Sequence, residues 1–133
     1  MIAQNIAHQA LLRGLTVRFV NAKAMFTDLG ALPTTGQRDS RLRHYISPQL
    51  LIIDEFAHFG PDPRQTDALY DVVAARYQNK STVVVSQRHF DQWPEVFPNA
   101  TCTRMIMDRF THYADIVDIV GKSYRWHEAQ LRA

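Results

Sequence analysis

The sequence predicts an α/β fold, with a parallel β-sheet layered between helices. Three observations carry that prediction. Leu50-Leu51-Ile52-Ile53 is a run of four aliphatic residues with no period-two alternation, the pattern of a strand buried on both faces. Ser81-Thr82-Val83-Val84-Val85 is a second such run, rich in β-branched residues. Helical patterns separate the strand-like runs, as right-handed β-α-β crossovers require.

Taken in order, residues 1–13 read as an amphipathic helix. Ile2, Ile6, Ala10 and Arg13 share one stripe, with Ala3, Ala7 and Leu11 beside it. Gly14 is its expected C-cap. No Ser, Thr, Asp or Asn precedes this helix, which suggests a coding start internal to a longer ancestral domain. Residues 15–20 have strand composition and a period of two. Asn21 is placed to cap a helix over 22–29. The stretch 30–36, with Pro33 and two threonines, is a loop. The charged stretch from Arg38 continues as a helix to about Ile46. Ser47-Pro48 stops it, because the residue before proline disfavours the α region.

The strand 50–54 follows. Pro61-Asp62-Pro63 opens a helix, and Leu69, Val72, Val73, Arg76 and Tyr77 give it a stripe that Asn79-Lys80 ends. Residues 81–87 form the second doubly buried strand, ending in Ser86 and Gln87. Residues 89–93 make a short turn or helix broken at Pro94, and Pro98-Asn99 is another turn. A helix is expected over 103–113. The alternating Ala-Asp-Ile-Val-Asp-Ile-Val of 114–120 reads as a third core strand. Gly121-Lys122-Ser123 is a turn, and 124–132 is a final strand or helix.

At 133 residues the chain is one domain, 1–133, or part of one. Its 46% hydrophobic and 21% charged content is that of an ordinary globular protein. The apolar runs fall far short of the ~20 residues that span a bilayer, so no membrane partner is expected. The first residues show neither a basic nor a hydrophobic leader segment, so no signal peptide is expected, and the single cysteine of the chain fits a cytoplasmic protein. Cys102 is the single cysteine, which excludes an internal disulfide and a thiol-rich metal site. The six histidines, His8, His44, His58, His89, His112 and His127, lack both H-x-x-x-H and H-E-x-x-H spacing and read as surface or packing residues. Trp93 and Phe97 read as packing anchors under a loop. A net charge of +2 permits contact with nucleic acid without demanding it. Arg38, Arg41 and Arg43, beside His44, form the best DNA-facing cluster; the same residues also suit a solvated helix face.

The chemistry concentrates at Asp54-Glu55. In open α/β sheets ligands lie at the carboxyl ends of the strands, so a buried strand ending in two acids delivers them there. In phosphate-loop nucleotidases the strand-end Asp helps to hold magnesium. The plainer reading is a strand that runs into an acidic turn.

The carriers of a wider resemblance are "LLIIDEFAHFG", "ARYQNKSTVVVSQRHFDQWPEVF" and "DRFTHYADIVDIVGKSYR", in this order and spacing. Together they make the chain similar to the later two-thirds of an IstB-like ATPase. That family belongs to the AAA+ phosphate-loop nucleotidases near DnaC and DnaA, and its members help a transposase in insertion-sequence mobility. The resemblance implies a three-layer AAA+ core with ATP and Mg2+ as cofactors. It implies a transposase and double-stranded DNA as partners, with self-assembly of the full-length protein. Asp54 matches the residue that holds magnesium through water, and Glu55 the residue that polarises the attacking water. Gln87 stands at the sensor position, where Asn is common. Arg109 matches an arginine finger acting on a neighbouring subunit's nucleotide, and Arg125 a basic residue of no fixed role.

One departure is large. No G-x-x-x-x-G-K-[ST] loop occurs anywhere; Gly121-Lys122-Ser123 has the letters but no upstream glycine, and it follows the last strand pattern. The first strand of the family domain is missing with the loop. The expected function is therefore an ATP-binding helper of transposition, present as a fragment inactive alone. Two alternatives stand beside it: a DnaC-like replicative helicase loader acting in DNA replication, and a non-enzymatic interaction module or inert transposon remnant.

Overall fold

The computed structural model describes residues 2–31, 35–98, 100–112, 114–119 and 131. Along the chain lie α1 (Ile2–Leu12), β1 (Val17–Asn21), α2 (Ala22–Gly30), α3 (Thr35–Ile46), β2 (Leu50–Asp54), α4 (Pro63–Arg76) and β3 (Ser81–Val84). A 3-10 helix (Phe90–Glu95) and α5 (Ala100–Thr111) follow. The three strands form a parallel sheet in the order β1-β2-β3. Leu50 pairs with Val17 on one side and Ser81 on the other, and Asn21 pairs with Asp54.

Local sequence explains the element ends. Gly14 has φ 80, and Leu15 N–H bonds to Ala10 O (3.1 Å) while Gly14 N–H bonds to Leu11 O (3.0 Å). Those two bonds are the Schellman arrangement, which needs a left-handed residue at the position glycine fills. Asn21 caps α2 by accepting from Lys23 N (2.9 Å). Asp62 and Gln65 make a reciprocal capping box at the start of α4, with Pro63 in its first turn.

The layers follow from the alternation of strand side chains. Leu50 and Ile52 face α1, whose small Ala3, Ala7 and Ala10 bring the helix close to the sheet. Leu51 and Ile53 face the opposite way, into a core built with Met25, Phe26 and Leu29 of α2, Leu42 and Tyr45 of α3, Leu69 and Val72 of α4, and Ile106 of α5. The sheet thus lies between helices, and β2 is buried on both faces as its unbroken aliphatic run requires. Among the described residues, no helix is long and apolar enough to cross a membrane.

Three expectations are corrected. The first strand starts at Val17 and runs through Asn21, so the helix cap is also the strand's last residue. The strand expected over 81–87 ends at Val84; Val85 still donates to Ile53 O (2.9 Å), but Ser86 and Gln87 have left the ladder. Residues 114–119, expected within a third core strand, have no regular structure and leave Ile116, Val117 and Ile119 exposed. Alternation makes a strand only where a neighbouring backbone takes its N–H and C=O groups, and 114–119 pair with none of the three strands. Val120 and the expected turn at 121–123 lie outside the described residues, as does the final element apart from Leu131.

Candidate functional site

Asp54 is the last residue of the central strand, half-buried, and its Oδ1 accepts from Glu55 N (2.9 Å). Glu55 turns the chain out of the sheet with φ 55, and Ala57 follows with φ 63. Two left-handed non-glycine residues so close together hold backbone strain, which persists only where the surroundings enforce it. Here the enforcement is Phe56. Its N–H bonds to Val85 O (2.9 Å), and its fully buried ring packs against Trp93, Phe97 and Phe110, with centroids 4.7, 5.6 and 5.6 Å away. Anchoring Phe56 inward leaves the Glu55 carboxylate outward, exposed on the rim. Trp93 and Phe97 are thus the packing anchors expected of them.

Asn21 completes the rim. Its Oδ1 caps α2, while its Nδ2 donates to Glu55 Oε2 (2.8 Å). One amide therefore fixes both the helix start and the position of the neighbouring strand's carboxylate. The sequence marks Asn21 only as a cap. The signal for its second role is its register opposite Asp54, which depends on strand pairing.

Gln87 lies three residues past the end of β3, exposed, on the rim where the parallel strands end. Asp54, Glu55, Asn21 and Gln87 therefore come from three adjacent strands at one end of the sheet. No group of three or more His, Cys, Asp or Glu that could hold a metal occurs among the described residues. Two carboxylates do suit Mg2+, which keeps several waters and takes other ligands from phosphate oxygens. A phosphate-cradling loop is absent from the sequence.

Arg109 sits elsewhere. α4 leaves the Asp54 end of the sheet and returns to the end where β3 starts, and Arg109 lies over Tyr70 (5.1 Å) and Tyr77 (5.9 Å) along that return. It is thus displaced toward the opposite rim, with Nη1 donating to Met105 O (3.3 Å). Of the three α3 arginines, Arg38 is tied to Asp71 (2.6 Å) and Arg41 to Asp28 (2.5 Å), whereas Arg43 is exposed and free of any ion pair among the described residues. Burial pulls the Asp28 carboxyl upward, but hydrogen bonds from Arg41 and Tyr45 and the Arg41 charge outweigh it and hold it below its ordinary value. Cys102 is a half-buried thiol whose pKa burial raises. Arg125 lies outside the described residues.

A family profile described as "IstB-like ATP binding protein" matches residues 1–132. A protein named for ATP binding in insertion sequence IS5376 of Geobacillus stearothermophilus is 29% identical over 98% of this chain and 52% of its own length. Its counterpart in insertion sequence IS232 of Bacillus thuringiensis is 32% identical over 93% of the chain and 50% of its own length. The chain thus spans about half the length of these relatives. Domain III of the replication initiation protein DnaA from Thermotoga maritima superposes with a TM-score of 0.67 at 18% identity, covering 82% of this chain and 45% of that one. AMPPCP-bound DnaA from Aquifex aeolicus gives 0.65 at 17%, covering 77% and 32%.

Proposed function

The chain belongs to the family of IstB-like ATP-binding proteins, and from that premise we propose that it carries the magnesium-and-water side of an ATP site in a protein that assembles on double-stranded DNA to assist a transposase. One observation carries the reading: Asp54, Glu55 and Gln87 leave adjacent parallel strands at the same end of the sheet. That end is where α/β folds bind nucleotides.

The residues divide the work. Asp54 would hold Mg2+, Glu55 would orient the attacking water and take its proton, and the Gln87 amide would supply a hydrogen bond to the terminal phosphate or that water. Asn21 positions Glu55 through the bond already formed. ATP, when bound, supplies the free energy of phosphoanhydride cleavage. Arg109, displaced from its own rim, acts on the nucleotide of a neighbouring subunit, so turnover requires assembly. The curated relatives are named for insertion sequences, which favours transposition over replicative helicase loading; the likeness to DnaA concerns the fold alone. The protein acts in the cytoplasm.

The test follows from what the chain lacks. Most phosphate-binding free energy in such sites comes from loop amides, a Lys and a Ser/Thr. The isolated chain therefore leaves ATP hydrolysis at background, and a magnesium-dependent turnover that Glu55→Gln abolishes would overturn this assignment. Fused behind a strand and phosphate loop of the family type, the chain binds ATP and hydrolyses it only when assembled. In that fusion Asp54→Asn weakens magnesium-ATP binding. Arg109→Ala leaves binding intact and lowers turnover by ~10³ or more. If the fusion binds no ATP, the chain is a non-enzymatic interaction module.

A further inference from the structure

A groove of about 410 Å³ lies between the edge strand β1 and the second half of α3, near the end of the sheet opposite Asp54. Thr16 and Arg18 form one wall; Ser40, Arg41, Arg43, His44, Ser47 and Pro48 form the other. None of these residues carries a carboxylate. Asp28 on α2 accepts from Arg41 and from Tyr45, and of the groove residues it pairs only with Arg41, which it neutralises. Arg18 and Arg43 remain uncompensated, with no ion pair among the described residues. Arg18 points to the face of the sheet covered by α3, and its Nε is fully buried without a hydrogen-bond partner. A buried guanidinium N–H without an acceptor is costly and uncommon. The rest of the Arg18 side chain lines the groove, where an anion meets its positive charge.

We propose that this groove is a phosphate-binding site for the backbone of double-stranded DNA, in which Arg18 and Arg43 take the phosphate oxygens and His44 adds a third donor when protonated. This deepens the DNA part of the function proposed above and rests on it. Two uncompensated guanidinium groups facing one recess match a phosphodiester, which accepts bidentate bonds from arginine. A position on an edge strand and an exposed helix leaves the groove open to a long ligand. Contacts to phosphate oxygens carry no sequence information, so the groove holds any sequence alike.

The His44 imidazole reports occupancy. Burial, then the charges of Arg18 on β1 and Arg41 on its own helix, hold its pKa below the ordinary value, against the opposing pull of Asp28 on α2. A phosphate between Arg18 and Arg43 offsets those positive charges and raises the pKa.

The experiment measures binding of the 133-residue chain to a short duplex across a salt series. It compares Arg18→Gln and Arg43→Gln with Arg64→Gln, which removes the same charge from an exposed position on α4. Each groove variant weakens binding roughly tenfold on every duplex tested. Each also lowers the slope of log affinity against log salt by about 1. Arg64→Gln leaves both unchanged. Arg43 is exposed, so its replacement keeps the fold even if Arg18→Gln does not. In parallel, NMR titration of His44 shows an upward pKa shift with duplex and a smaller one with inorganic phosphate. Duplex binding that both groove variants retain, with His44 unmoved, overturns the groove and leaves DNA assembly standing. Absence of duplex binding by the unaltered chain overturns both. A His44 shift with inorganic phosphate alone overturns the nucleic-acid assignment.

Discussion

Arg76 is the largest side chain removed from solvent among the described residues, and it has no carboxylate partner there. Its guanidinium instead collects backbone carbonyls. Nη1 donates to the oxygens of Tyr45 (3.1 Å), Ile46 (3.0 Å) and Pro48 (2.7 Å), Nη2 to Ser81 O (2.6 Å), and Nε to Thr82 Oγ1 (3.0 Å). The first two belong to the last turn of α3, where the helix dipole places negative charge. Burial lowers the Arg76 pKa to about 10, so the group stays charged at neutral pH. One side chain thus joins the end of α3 to the starts of β2 and β3. Arg76→Leu leaves those acceptors buried and empty, and lowers unfolding free energy by about 3 kcal/mol or more, read from the urea midpoint. Arg76→Lys recovers only part, because an ammonium cannot fork toward five acceptors.

At the scale of elements, the turn after β2 gives the sharpest test of the site's support. A Cβ on Gly60 would stand 1.8 Å from the carbonyl oxygen of Val96, just past the 3-10 helix that carries Trp93. Gly60→Ala therefore forces two backbones apart, costs about 2 kcal/mol, and changes the near-ultraviolet tryptophan signal. How legible such features are depends on how local they are. The aliphatic run of β2, the Asn21 cap of α2, the proline-marked start of α4 and the glycine end of α1 are short-range signals, and each appears where the sequence puts it. Asp54 and Glu55 were legible for the same reason, as the polar end of a buried strand. The bond from Asn21 to Glu55 spans 34 positions, and the ion pairs holding Arg38 and Arg41 span 33 and 13. No window of sequence displays these. Residues 114–119 show the converse: a clear alternation whose outcome depends on a neighbour the pattern cannot see.

The whole molecule leaves much apolar surface in water. Ile2, Leu11 and Leu12 on α1 are 60, 58 and 68% exposed, and Ile116, Val117 and Ile119 are 65, 76 and 71% exposed. β1 and β3 are the sheet's edge strands, each with one row of backbone groups unpaired among the described residues. Exposed edges and apolar patches of this kind template association. The isolated chain therefore scatters light increasingly with concentration and binds a hydrophobic dye while folded. Leu12→Glu combined with Val117→Glu suppresses the scattering and leaves the melting temperature nearly unchanged. Scattering unaffected by the pair would locate the contact elsewhere.

The strand order also governs how the chain reaches this state. β1, β2 and β3 lie side by side in the order in which a ribosome releases them. Each pairing, Val17 with Leu50 and then Leu50 with Ser81, closes a loop of roughly thirty residues, and closure entropy grows only slowly with length. Every new strand thus finds its template already made, and nothing synthesised later has to be inserted between two earlier strands. Assembly is vectorial, with β3 as the growing front of the sheet, so a stall in translation leaves a shorter sheet of the same register instead of a scrambled one.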